Sequence, residues 1–185
     1  ANWHLCRQAN GLLGTAPEVI RYHSIAPVYL PFHTPLRCAN WLIQMEVGSA
    51  SHMKAELGLT AARFGASHPL RACSQCMEQD VRDHHVAYWH TVHQLPGVRI
   101  CPTHRISLLA THEKSSGLNR FGWVLPMSAD LVATSDVTGS GDLLLALAEG
   151  AIAIWRLPLA FQFHPSRLHV TYRSRLIQAG LMSAS

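Results

Sequence analysis

Cys73-Ser74-Gln75-Cys76 and, beyond residues 77–100, Cys101-Pro102-Thr103-His104 decide how this chain folds. Each run is a short turn carrying two metal donors at the spacing zinc sites use. A Cys-x2-Cys turn offers two thiolates, and Cys-x2-His offers a thiolate and an imidazole. Together Cys73, Cys76, Cys101 and His104 make a Cys3His set for one Zn2+. Two such turns are a strong signal where one alone is weak, and Pro102 stiffens the second. Protein donors at all four positions leave no open place for water or substrate. The expected role is structural, a closed site that holds together a module with little core of its own.

Between the two turns, the pattern from Glu78 to Leu95 predicts one helix ended by Pro96-Gly97. Val98-Arg99-Ile100 then predicts a short strand into the second turn. His90 and His93 would share a face of that helix, as would His85 and Trp89. No acid lies between the histidines, so the His-Glu-x-x-His pattern of a zinc protease is absent. The favoured reading is packing of Tyr88, Trp89 and His93 around the metal module, with one histidine standing behind a ligand.

Toward the N-terminus, Thr15-Ala16-Pro17-Glu18 is a capping box, followed by Val19 and Ile20 on an apolar face. Residues 26–33 hold two prolines and predict an extended run. Thr34-Pro35 opens a second helix, with Cys38, Leu42 and Met45 at helical spacing. A third short helix is expected over about 50–57, stopped by Gly58. Trp41 and Phe64 read as core. Toward the C-terminus, residues 134–142 have linker composition. Leu143 to Trp155 predicts a helix that is apolar on most sides and therefore buried. His164-Pro165-Ser166 opens a last helix ending at Gly180, with Leu168, Tyr172 and Leu176 as its stripe. The organisation expected is a helical segment over 1–67, a metal module over 68–133, a linker over 134–142 and a helical region over 143–185.

Composition agrees with a globular chain: 185 residues, 48% hydrophobic and 14% charged. No apolar run reaches the length of a membrane span. Five cysteines, three of them in the two turns, do not form a disulfide scaffold. A reducing compartment is expected, with Cys6 and Cys38 as buried thiols; a second metal site including one of them is the rarer alternative. The net charge of +4 is unevenly placed. Residues 151–185 hold Arg156, Arg167, Arg173 and Arg175 with no acid, and the rest of the chain balances to zero. Arg167, Arg173 and Arg175 on the last helix are the candidate phosphate contacts. The chain lacks a phosphate-binding loop, a carboxylate cluster and a Gly-x-Ser-x-Gly elbow, which points to binding or scaffolding and away from catalysis.

Three stretches carry a family resemblance. They are Leu70-Arg71-Ala72-Cys73-Ser74-Gln75-Cys76-Met77-Glu78-Gln79-Asp80, then Tyr88-Trp89-His90-x-x-His93-Gln94-Leu95-Pro96-Gly97-Val98, then Cys101-Pro102-x-His104 with Leu108. They closely resemble the TniQ/TnsD family of transposition target-selection proteins. Glu18 to Phe32, Gly58-Leu59-x4-Phe64 to Pro69, and Tyr172-Arg173-x-Arg175-Leu176-x3-Gly180-Leu181 are similar to it too. The resemblance implies a mainly α fold with a small zinc-finger module, short β strands and C-terminal helix-turn-helix-like helices. It implies a bacterial, cytoplasmic, nucleoid-associated accessory of DNA transposition, not an enzyme, with one structural Zn2+ on Cys73, Cys76, Cys101 and His104. The partners it implies are DNA, an AAA+ ATPase of the TnsC kind and an RNA-guided CRISPR complex, with a homodimer as a further assembly. Two positions depart from the family: Ser74 stands where a proline is common, and Arg105 where a glycine is frequent. The family usually has a helical segment ahead of residue 12 and more helix-turn-helix-like structure at the end, so a fragment is expected. The alternatives are a zinc-dependent nuclease or hydrolase with His90 or His93 as base, and a protein-binding scaffold without DNA contact.

Overall fold

The computed structural model describes residues 6, 8–9, 11–47, 69–111, 124–134 and 141–183. The helix expected near 50–57, Gly58, Phe64 and most of the 134–142 linker lie outside the described residues.

Helix α1, Ala16–His23, begins as its capping box dictates. The Thr15 N–H donates to the Glu18 carboxylate at 2.7 Å, and the Glu18 N–H donates back to the Thr15 hydroxyl. These backbone and hydroxyl donors hold the Glu18 carboxyl below its ordinary range. Gly14 is required here: its φ is +78°, and a Cβ would stand 2.8 Å from the Glu18 carboxylate. Residues 26–33 are not extended. They form two 3-10 turns, Ala26–Val28 and Leu30–Phe32, each with its proline in the first turn, where no N–H is needed. Helix α2, Pro35–Val47, starts at the expected proline and buries Cys38 and Trp41. The Cys38 thiol donates to the Leu30 carbonyl at 3.1 Å, whereas Cys6 is only half-buried.

The metal module contributes β1, Arg71–Ala72, and helix α3, Ser74–His84. The sheet is completed by β2, Leu109–Thr111, and β3, Leu131–Ala133. All three strands are antiparallel in the order β1-β2-β3, with Ala72 opposite Leu109 and Leu109 opposite Ala133. Helix α4, Gly141–Trp155, and helix α5, Pro165–Gln178, follow.

The core that includes the thiols joins the first 3-10 turn, the module and α4, while α2 and the sheet have smaller clusters of their own. Val28 from the first 3-10 turn, Cys73, Cys76, Leu95, Val98, Cys101 and Leu108 from the module, and Ala148 and Ile152 from α4 pack together. Trp155 fastens the end of α4 to α1. Its indole N–H donates to the Ser24 carbonyl at 3.0 Å, and Arg21 both stacks on its ring at 5.3 Å and donates to its carbonyl. A guanidinium at a helix C-terminus is placed where the macrodipole favours it. The chain after α4 is tied back by the Phe163 N–H to the Pro31 carbonyl at 2.8 Å and by the Phe32–Phe163 ring contact.

The expected burial of α4 fails, and the apolar stripe of α5 is exposed too. Helix α4 presents only Ala148 and Ile152 fully to the core, and Leu143 stays 63% exposed. Tyr172, the centre of the α5 stripe, is 59% exposed, and no α5 residue is buried. An apolar repeat fixes which side chains share a face; it does not supply an element to cover that face.

Candidate metal centre

Cys73 caps the N-terminus of α3 and Cys76 sits in its first turn, so one helix start presents both sulfurs. The second turn is the tip of a hairpin-like excursion. The Leu108 N–H donates to the Arg99 carbonyl, the Cys101 N–H to Ile106, and Ile100 bridges Ser107. That excursion replaces the strand expected over 98–100. At its tip the Arg105 N–H donates to the Cys101 carbonyl at 2.8 Å, and the His104 N–H points at the Cys101 sulfur at 3.4 Å. The turn closes through Arg105 at φ 55°, the left-handed region that favours glycine. Arg105 occupies this position at some strain.

The structure brings the four expected residues together. The donor atoms of Cys73, Cys76, Cys101 and His104 lie within 4.8 Å of one another, and all three sulfurs are buried. His104 turns Nδ1 inward, at 3.5 Å from the Cys73 sulfur, 3.3 Å from Cys76 and 3.7 Å from Cys101. Cys76 and Cys101 sulfurs are 3.7 Å apart. A tetrahedron with metal–sulfur bonds of about 2.3 Å and a metal–nitrogen bond of about 2.0 Å has edges of roughly 3.5–3.8 Å. Four of the six separations lie close to these edges, and the whole set fits within 4.8 Å. Its electrostatics ask for a cation. Burial raises the thiol pKa of both Cys73 and Cys76, and at Cys76 the neighbouring Cys101 and Cys73 sulfurs raise it further. Backbone N–H groups of Cys76 and Gln75, at the start of α3, counter this at Cys73. Three soft donors and an imidazole with these separations could hold a metal ion.

The residues between the turns arrive differently from the expectation. Glu78 to Leu95 is not one helix: α3 stops at His84, and His85 takes a left-handed conformation at φ 62°. Uninterrupted, a helix from 78 to 95 would run roughly 27 Å and carry Leu95 away from the thiols. Leu95 is instead fully buried in the same cluster as Cys73, Cys76 and Cys101. The chain turns back through residues 86–90 into a 3-10 turn, Thr91–Gln94. Several side chains hold that return. The Trp89 indole donates to the Val124 carbonyl at 2.7 Å. His90 pairs with Asp80 at 2.9 Å, and Tyr88 stacks on the His90 ring at 4.5 Å. The Gln94 amide clasps β1, accepting from the Arg71 N–H at 3.0 Å and donating to the Arg71 carbonyl at 2.7 Å. The Arg71 guanidinium in turn donates to the Val98 carbonyl. Burial, and then Arg99 nearby, bring Arg71 down to about 10.

His93 is 1% exposed, with Nε2 3.9 Å from the Cys76 sulfur. Burial, reinforced by His90, brings its pKa down to about 4, so it stands as neutral imidazole. A ring this enclosed does not reach a substrate, and His90 is committed to Asp80. His93 therefore lacks the access a hydrolytic base needs, while the His90 side chain keeps 24% exposure. Sequence spacing could not show the Asp80–His90 pair, because the two residues sit on separate elements that only the chain reversal brings together.

Fold and site together define a mainly helical protein organised around a Cys3His pair of turns. A family model described as TniQ matches residues 8–108, and the chain belongs to the TniQ family. The chain is also 26% identical over 87 residues to the transposon Tn7 transposition protein TnsD of Escherichia coli. That stretch is 47% of this chain and 17% of the relative's length. Membership implies a transposition-associated role. Among the described residues, no helix is long and apolar enough to cross a membrane.

Proposed function

We propose that this chain is a non-catalytic target-selection module of DNA transposition, in which a structural Zn2+ on Cys73, Cys76, Cys101 and His104 fixes the surfaces that partners read. The family match over 8–108 carries this reading. The donor set supports the metal: three thiolates and one imidazole suit zinc, and with four protein ligands zinc serves structure. Cys73 and Cys76 at the start of α3 and Cys101 and His104 in the 99–108 excursion would hold the ion, which would offset most of the charge of the buried sulfurs.

In this reading, residues 68–133 form the metal module and 143–185 carry the DNA surface. Arg167 and Arg175 are exposed on α5 and Arg173 is half-buried. Arg167 also borders an open cleft of about 560 Å3 between Phe161–His164 and the first turns of α5. The partner recruited is an AAA+ ATPase of the TnsC kind, and the target is marked by DNA or by an RNA-guided complex.

The test is DNA binding by the purified chain across a salt series. Phosphate contacts predict an affinity that falls steeply with salt, and a shallower slope for Arg167→Ala combined with Arg175→Ala. Binding that ignores salt, or a slope the double variant leaves unchanged, removes α5 from the DNA surface. Capture of the ATPase without any DNA affinity would instead favour the scaffold reading.

A further inference from the structure

We propose that His93 is a positioning residue of the metal centre, its Nε2–H donating to the Cys76 thiolate while the Asp80–His90 pair keeps its ring in place. The proposal rests on the reading of the four-residue cluster as a zinc site. Its own support is the surroundings of a residue outside that cluster.

His93 Nε2 lies 3.9 Å from the Cys76 sulfur, at the long end of an N–H to sulfur contact. Its other nitrogen, Nδ1, is buried and has no partner among the described residues. These two facts select the tautomer. With the proton on Nδ1, a buried N–H would lack an acceptor and the Nε2 lone pair would face an electron-rich sulfur. With the proton on Nε2, the donor meets the thiolate and only a lone pair is left bare, which is the smaller penalty. The ring has little freedom to do otherwise. Its centroid is 5.0 Å from that of His90, which is bonded to Asp80, itself 5% exposed. Tyr88 covers the His90 ring. Asp80, His90 and His93 thus form a line from the last turns of α3 back to the ligand in its first turn.

The chemistry follows from where the proton sits. An N–H directed at a metal thiolate draws charge from the sulfur, holds its direction and makes it a poorer nucleophile toward electrophiles. Three thiolates on one divalent ion carry excess negative charge; backbone N–H groups face the Cys73 and Cys101 sulfurs, and at Cys76 the donor is the His93 side chain. His93 would therefore set how firmly the site retains its metal and how readily Cys76 is attacked.

The test compares His93→Phe, which fills the space without a donor, with His93→Gln, which keeps an amide N–H near the Nε2 position. Zinc release under N-ethylmaleimide is followed with a chromogenic chelator. The sulfur-to-metal charge-transfer band is recorded after Co2+ loading. His93→Phe should release zinc about ten-fold faster, the lower end of what loss of a ligand's outer partner does, and should shift the band. His93→Gln should stay near wild type in both. A Phe variant with wild-type release and an unshifted band overturns the proposal, as does a Gln variant that behaves like Phe. Should the Phe variant not fold, wild-type protein loaded with NMR-active cadmium decides the matter. A slowly exchanging His93 Nε2 proton coupled to the metal is expected, and its absence overturns the proposal. A wild-type chain that takes up neither Zn2+ nor Co2+ would defeat the zinc reading itself, a failure distinct from an unperturbed His93 variant.

Discussion

The metal module and the C-terminal helices are built on opposite plans. In the module specific side-chain pairs fix the chain: thiols meet thiols and an imidazole, His90 meets Asp80, Gln94 meets β1, and Trp89 meets the Val124 carbonyl. Helix α4 packs on the rest of the protein through Ala148, Ala151, Ile152, Ile154 and Trp155, and the segment leading into α5 is tied back at Phe163. Most of the remaining length of the two helices faces solvent. The difference teaches that short, irregular chain can be fixed by ligands and side-chain bonds, while long regular helices are fixed only where an apolar contact is supplied.

The sharpest way to break this comparison is Cys101→Ser. Loss of one ligand should abolish stoichiometric metal and unfold the module, since structural zinc supplies on the order of 10 kcal/mol of apparent binding energy that doubles as folding energy. Metal analysis combined with circular dichroism checks it, and an intact fold without metal would show that the core alone suffices. A smaller effect separates the two faces of α4. Ile152→Ala empties a core position and should cost about 2–4 kcal/mol in a denaturant melt. Leu147→Ala, on the half-exposed face, should cost under about 0.5 kcal/mol. Equal costs would mean that α4 is covered on both sides.

The legible parts of the sequence were those in which function resides in local spacing. The two turns gave the ligands, Thr15 and Glu18 gave a helix start, and Thr34-Pro35 gave another. Parts that depended on distant contact were not legible. The reversal after His84 arises because Leu95 must return to the thiols, and no residue between 78 and 95 announces it except the unremarkable His85. The two-proline run at 26–33 suited an extended chain locally, yet burial of Val28 and Leu30 draws it into 3-10 turns. Exposure of the α5 stripe depends on what packs against it, which periodicity does not contain.

The capping box at Thr15 sharpens the comparison on the N-terminal side. Thr15→Ala should cost about 1 kcal/mol. The Glu18 half of the box has a pH signature. Its folded-state carboxyl pKa lies below the unfolded value of 4.5, so its contribution is present above that value and is lost as pH falls through the folded pKa. The difference between wild type and Thr15→Ala should therefore shrink in acid, and a gap that is constant with pH would contradict the box. The smallest effect is expected at Arg105, whose left-handed backbone a glycine adopts freely. Arg105→Gly should raise stability by up to about 1 kcal/mol, the relief of strain offset in part by the freer unfolded chain. A loss of stability would show that the Arg105 side chain, and not its backbone, matters there.

The central claim is that Cys73, Cys76, Cys101 and His104 hold a structural metal around which the module folds. Elemental analysis of the purified chain tests it most directly. The account predicts one zinc per chain, removed only together with the module's folded signal. Protein that is fully folded with no stoichiometric zinc would contradict it.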